Sequence, residues 1–145
     1  AFVQVINQCA QIRLENNQGT WIVKDMIDAY CTLHESGFAH SVEAWHQGEL
    51  AGGLYGVSLG RCFFGESMFT RVRDASKVAF VHLVMELQQR DFGLIDCQVY
   101  SEHLSSLGAE EIPRQLFEDI IKRDCAREND MQWQQPRQPL SQFSD

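Results

Sequence analysis

The sequence predicts a mixed α/β (α+β) domain, and three features carry that reading. Residues 40–45 alternate polar and apolar in the manner of a strand, Leu50 to Leu59 resumes as strand after a turn, and Gly60-Arg61 starts another, which makes an antiparallel meander. Residues 75–90 form a long helical run. Leu94-Ile95-Asp96-Cys97-Gln98-Val99 then returns as a short, mostly apolar strand. A strand–helix–strand unit of this kind makes its two strands parallel, so the sheet is mixed: a meander plus one parallel crossover, flanked by helices.

Each element has its own signal. Phe2, Val3, Val5, Ile6, Cys9 and Ala10 recur at helical spacing, so residues 1–12 read as a short amphipathic helix. A polar loop over 15–20 follows. Met26, Ile27, Tyr30, Cys31 and Leu33 mark a second helix, which Gly37 can end in a left-handed cap. Strands are expected over 40–45, 50–59 and 61–69, with a turn at Gln47-Gly48-Glu49. Asp74 stands as a plausible N-cap for helix 75–90. A helical turn over 101–107 ends at Gly108, and Pro113 opens a final helix reaching Cys125. Residues 1–125 are thus the domain, and the Gln-rich segment 126–145 reads as a flexible tail.

Composition narrows the function classes. The 145 residues carry 12 Lys+Arg against 20 Asp+Glu, a net charge of -8, which disfavours non-specific nucleic-acid binding without excluding an RNA-linked substrate. No apolar run approaches the roughly 18 residues of a membrane span. The five cysteines are scattered and never form a C-x-x-C pair, so reduced thiols in a cytoplasmic protein are the expectation. A secretory leader is not visible in these residues, and the start at Ala1 with a helix under way leads to the expectation that the natural N-terminus has been removed. The histidines lack metal-ligand spacing, so no metal is expected.

Ligands in open α/β sheets sit beyond the carboxyl ends of parallel strands, which here are Gly65-Glu66-Ser67-Met68 and Asp96-Cys97-Gln98. Strand alternation puts Asp96 and Gln98 on one face and Cys97 on the other. Such a pair is either tied to backbone or serves as a proton acceptor beside an orienting amide. Glu66 lies in Phe63-Phe64-Gly65-Glu66-Ser67-Met68-Phe69, where its charge needs a cation from elsewhere in the chain or from a ligand amine. The glycines of 48–60 lie in the meander with no helix after them, so they make no phosphate fingerprint; they mark bulges or close approaches. Arg71, Arg73 and Lys77 open the long helix as either an anion site or a solvated basic patch.

Several ordered motifs resemble the bacterial leucyl/phenylalanyl-tRNA–protein transferase family. They are His40-Ser41-Val42-Glu43-Ala44-Trp45, Gly48-Glu49-Leu50-Ala51-Gly52-Gly53-Leu54-Tyr55-Gly56-Val57, Phe64-Gly65-Glu66-Ser67-Met68-Phe69, Ala75-Ser76-Lys77-Val78-Ala79, Leu94-Ile95-Asp96-Cys97-Gln98 and His103-Leu104-Ser105-Ser106-Leu107-Gly108-Ala109. The likeness spans about residues 1–121 and leaves the Gln-rich tail unmatched. It implies a GNAT-like acyltransferase fold and a cofactor-independent transfer of Leu, Phe or Met from the 3′ end of aminoacyl-tRNA. The acceptors would be proteins beginning with Arg or Lys, marked for degradation under the bacterial N-end rule. It further implies Asp96 and Gln98 at the reacting centre, with Glu66, beside Gly65 and Ser67, holding an amino group. Phe63, Met68, Ile95, Leu54, Leu83 and Leu87 would shape the donor side-chain pocket, and Trp21 would meet the terminal adenosine. Family members carry a further N-terminal region with basic residues for the tRNA acceptor stem, and a strand just before Ala1; both are expected to lie outside this sequence.

Two rivals belong beside this reading. A CoA-dependent GNAT N-acetyltransferase would share the architecture, but its pyrophosphate turn needs glycine where this chain has Arg71-Val72-Arg73-Asp74-Ala75-Ser76. A non-catalytic binder of basic N-termini would keep Glu66 and the pocket without needing Asp96 and Gln98.

Overall fold

A computed structural model describes residues 1–17 and 19–128. The helices α1 (Phe2–Glu15) and α2 (Lys24–Glu35) lead into the strands β1 (Ala39–His46), β2 (Glu49–Leu59) and β3 (Cys62–Thr70). Then follow α3 (Ala75–Gln89), β4 (Leu94–Asp96), α4 (Glu102–Ser106) and α5 (Arg114–Asp124). The four strands make one sheet in the order β1-β2-β3-β4, antiparallel up to β3 and parallel between β3 and β4. The mixed sheet and its flanking helices are those the sequence predicts. Among the described residues no helix is long and apolar enough to cross a membrane. The expected tail lies outside the described residues from 129 onward.

Strand alternation divides the core in two. On one face Tyr55 and Phe69 pack with Phe2, Val5, Ile6 and Cys9 of α1, the stripe read from the sequence. Full burial of Phe2, Val5 and Ile6 is worth roughly 1.5–3 kcal/mol each. On the other face Leu54 and Phe63 pack with Ala79, Phe80, Leu83 and Leu87 of α3. Gly52 admits the start of that helix: a Cβ there would stand 2.7 Å from the Cβ of Ala75. This is the close approach that one reading of the meander glycines anticipated.

Two local expectations fail. Asp74 makes no side-chain cap bond; it adopts a left-handed φ of 64° and pairs with Lys77 at 2.7 Å. Thr70 supplies the cap instead, its Oγ1 accepting the Ser76 N–H at 3.1 Å. Strand β4 ends at Asp96 rather than 99, because Asp96 Oδ1 captures the Gln98 N–H at 2.8 Å and Gln98 turns to a φ of 64°. Alternation therefore does not govern Asp96 and Gln98; a tight turn does.

Candidate functional site

The site arises where two paired strands part. Parallel pairing runs through Cys62↔Leu94, Phe63↔Ile95 and Phe64↔Asp96, and then stops. On the other side of β3, Tyr55 pairs with Ser67 and Gly56 with Gly65, so Glu66 has no partner in that ladder. It is the extra residue of a β-bulge, a device that bends a strand and re-aims a side chain. One side-chain hydrogen bond spans the gap between the parted segments, from Gln98 Nε2 to the Gly65 carbonyl at 2.7 Å.

A cavity of about 290 Å³ opens between the parted segments. Leu54, Phe63, Met68, Phe80, Leu83 and Ile95 supply its apolar walls, while Arg13, Tyr55, Glu66 and Ser67 supply polar ones. The polar residues on β2 and β3 belong to the α1 side of the sheet and the apolar ones to the α3 side, so the gap joins both faces. A cavity of about 150 Å³ already holds benzene, so the volume as a whole admits an apolar side chain of that size. A larger groove of about 860 Å³ adjoins it, sharing Ile95, Cys97, Tyr100 and Ser101 as a common wall. Asp96 and Gln98 line this groove rather than the cavity itself.

The sequence-selected residues therefore divide. Gly65, Glu66, Ser67, Phe63, Met68, Leu54, Leu83 and Ile95 line the cavity. Leu87 of α3 is 1% exposed and belongs to the core between that helix and the sheet, and it is not among the residues that line the cavity. Trp21 is 42% exposed and meets Tyr30 edge-on at 6.5 Å. The Tyr30 hydroxyl bonds to Glu66, and burial together with that carboxylate raises its pKa. Trp21, Tyr30 and Glu66 thus form a connected rim. Among the described residues Glu66 makes no ion pair with a Lys or Arg, and the Tyr30 hydroxyl is the partner of its carboxylate.

Asp96 is half-buried, with Oδ1 committed to the Gln98 amide and Oδ2 available to a ligand. Cys97 lines both depressions, but burial raises its thiol pKa, with the Asp96 charge adding to the effect. A neutral thiol is a poor nucleophile. The basic cluster at the start of α3 is spent on ion pairs, Arg71 with Glu15 at 2.6 Å and Arg73 and Lys77 with Asp74. These exposed pairs fit the solvated-patch reading.

The sequence reading missed Arg13, Tyr55, Tyr30 and Tyr100 as site residues. Arg13 follows Cys9 by four residues, one helical turn along the buried stripe, which was the available signal. Tyr55 follows Leu54 on β2 and so faces the opposite side of the sheet.

Comparison with known proteins adds the family. The family model described as leucyl/phenylalanyl-tRNA protein transferase matches residues 1–122. The chain belongs to this family. It is 61% identical over 121 residues to the leucyl/phenylalanyl-tRNA–protein transferase of Syntrophobacter fumaroxidans, covering 83% of this chain and 52% of that protein. The Chromobacterium violaceum protein of the same name is 56% identical over 124 residues, covering 86% and 53%. That of Nitrosospira multiformis is 60% identical over 121 residues, covering 83% and 52%. The chain spans about half the length of these curated relatives.

Proposed function

We propose that this domain moves Leu, Phe or Met from the 3′ end of aminoacyl-tRNA to the α-amine of proteins beginning with Arg or Lys. As in the bacterial N-end rule, the transfer would mark those proteins for degradation in the cytoplasm. The observation that carries the reading is the apolar cavity at the parted strand ends, with Glu66 inside it and Asp96 and Gln98 on the adjoining wall.

The chemistry asks little of the protein. An α-amine with a pKa near 7.7–8.0 holds its proton only weakly near neutral pH, so little proton-transfer work is needed and orientation and charge neutralisation dominate. The amine nitrogen forms the new C–N bond, the ester C–O bond breaks, and the nitrogen's proton ends on the departing ribose hydroxyl. Asp96 Oδ2 holds the attacking amine and accepts its proton. Gln98, anchored on the Gly65 carbonyl, fixes the turn that presents Asp96 and supports the tetrahedral centre. Glu66 neutralises an amino group within the cavity, and Leu54, Phe63, Met68, Leu83 and Ile95 receive the donor side chain. Trp21 stacks on the terminal adenosine at the rim. No ATP or covalent enzyme intermediate is needed, because the donor ester is already activated.

The test is transfer of labelled Phe from Phe-tRNA to an Arg-starting peptide, by this chain and by the same residues within a full-length relative. Transfer that is lost in Asp96→Ala supports the reading. Peptide binding with no transfer in either protein would instead make this a binder of basic N-termini.

A further inference from the structure

The polar end of the cavity holds more donors than the transfer reading uses. Tyr55 is 0% exposed and lines the cavity, yet its hydroxyl has no hydrogen-bond partner among the described residues. Ser67 Oγ, opposite it in the β2–β3 register, is likewise buried and unsatisfied. The Cys9 thiol beside Ser67 is only a weak partner. Leaving a buried hydroxyl unmatched is costly, which makes two such groups facing one cavity a sign of a ligand.

Arg13 completes the set. Its half-buried side chain lines the same cavity and makes no ion pair among the described residues, although Glu66 also lines it. The Tyr55 hydroxyl feels both the Glu66 and the Arg13 charges. A carboxylate and a guanidinium that share a small cavity without pairing are complementary to a ligand carrying both signs. Arg13 can only donate, and the two hydroxyls are free to donate, so their counterpart is an acceptor oxygen.

We infer that Arg13, Tyr55 and Ser67 form a donor corner for the C1 oxygen of an apolar α-amino acid unit whose ammonium group sits at Glu66. The oxygen belongs to the carbonyl of an aminoacyl ester or to the carboxylate of a free amino acid. The inference rests on the proposed role of Glu66 and adds Arg13 as a positioning residue that selects α-amino acyl groups over plain amines.

Calorimetry on the chain with three probes decides it: L-phenylalanine, L-phenylalanine methyl ester and 2-phenylethylamine, which keeps the ring and amine but lacks the C1 oxygens. The expected result is that phenylalanine, the ester or both bind at least ~10-fold tighter than phenylethylamine, as a charge-assisted bond allows. Arg13→Gln should erase that preference and leave phenylethylamine binding within about twofold, while Arg13→Lys should retain part of it. A preference kept by the ester assigns the acyl carbonyl; one shown by the acid alone assigns a free amino acid. Equal binding of all three probes, a preference that survives Arg13→Gln, or no binding by any probe overturns the inference. The transfer assay with Asp96→Ala is read separately, so either proposal can fail without the other.

Discussion

Removing the Tyr55 hydroxyl should make the free protein more stable while making it a poorer binder. The Tyr55 ring is held by Phe2 at 5.8 Å and Tyr30 at 5.3 Å, both edge-on, and Tyr55→Phe keeps these contacts. Only the oxygen is lost, and that oxygen is buried and unpartnered. An unsatisfied buried polar group costs about 1–3 kcal/mol, so its removal should return on the order of 1 kcal/mol after local relaxation. For a domain of this size that corresponds to a rise in Tm of roughly 3–5 °C. Urea and thermal unfolding followed by circular dichroism measure it, and the phenylalanine-over-phenylethylamine preference should fall in the same variant. A Tyr55→Phe protein less stable than the parent by 1 kcal/mol or more would mean that the hydroxyl is satisfied in the free chain, and the donor corner would lose its central support.

Three further outcomes follow from the same geometry. Asp96→Ala should lower transfer by about 10²-fold or more with a far-UV spectrum like that of the parent, as expected for loss of a positioned proton acceptor. Gly93→Ala should destabilise by roughly 1–3 kcal/mol in urea unfolding, because its Cβ would stand 1.8 Å from Oδ2 of the fully buried Asp124. Burial lowers the His40 pKa to about 4, so below its unfolded value near 6.5 the unfolded chain binds the extra proton and stability falls with pH. That loss should approach about 3 kcal/mol by pH 4, and His40→Gln should flatten this limb of a stability-versus-pH curve.

How far the sequence reached depended on whether a feature was local to one element. The buried stripe of α1 is set by helical spacing, and Phe2, Val5, Ile6, Cys9 and Ala10 lie where that spacing put them, while Val3, read with them, points outward at 52% exposure. The meander and helix α3 were legible for the same reason. The cap of α3 was not. Asp74 has the right chemistry at the right position, but Thr70 reaches the Ser76 N–H from the preceding strand, and only the folded path of the chain decides between them. Likewise β4 reads as six strand-like residues, yet its partner β3 is paired to it over only three. Without that ladder, the Asp96 side chain competes successfully for the Gln98 N–H and turns the chain.

The same distinction explains the site. Leu54, Phe63, Met68, Leu83 and Ile95 were implied by the family resemblance, and all five line the cavity. The mixed character of the cavity was not read from the sequence, since it comes from an opening between strands that exposes side chains from both faces of the sheet at once. Alternation assigns Tyr55 and Ser67 to the α1 core, where a hydroxyl is an oddity. The bulge at Glu66 turns that oddity into a site, because the added residue shifts the register so that Ser67 lies opposite Tyr55 while Glu66 is left unpaired. Arg13 then needs no strand signal; one more turn of α1 brings its charge to the hydroxyls that the parted strands leave unmatched. The polar end of the cavity is thus a property of register and splay, and substitutions that move the bulge should disturb ligand preference before they disturb the core.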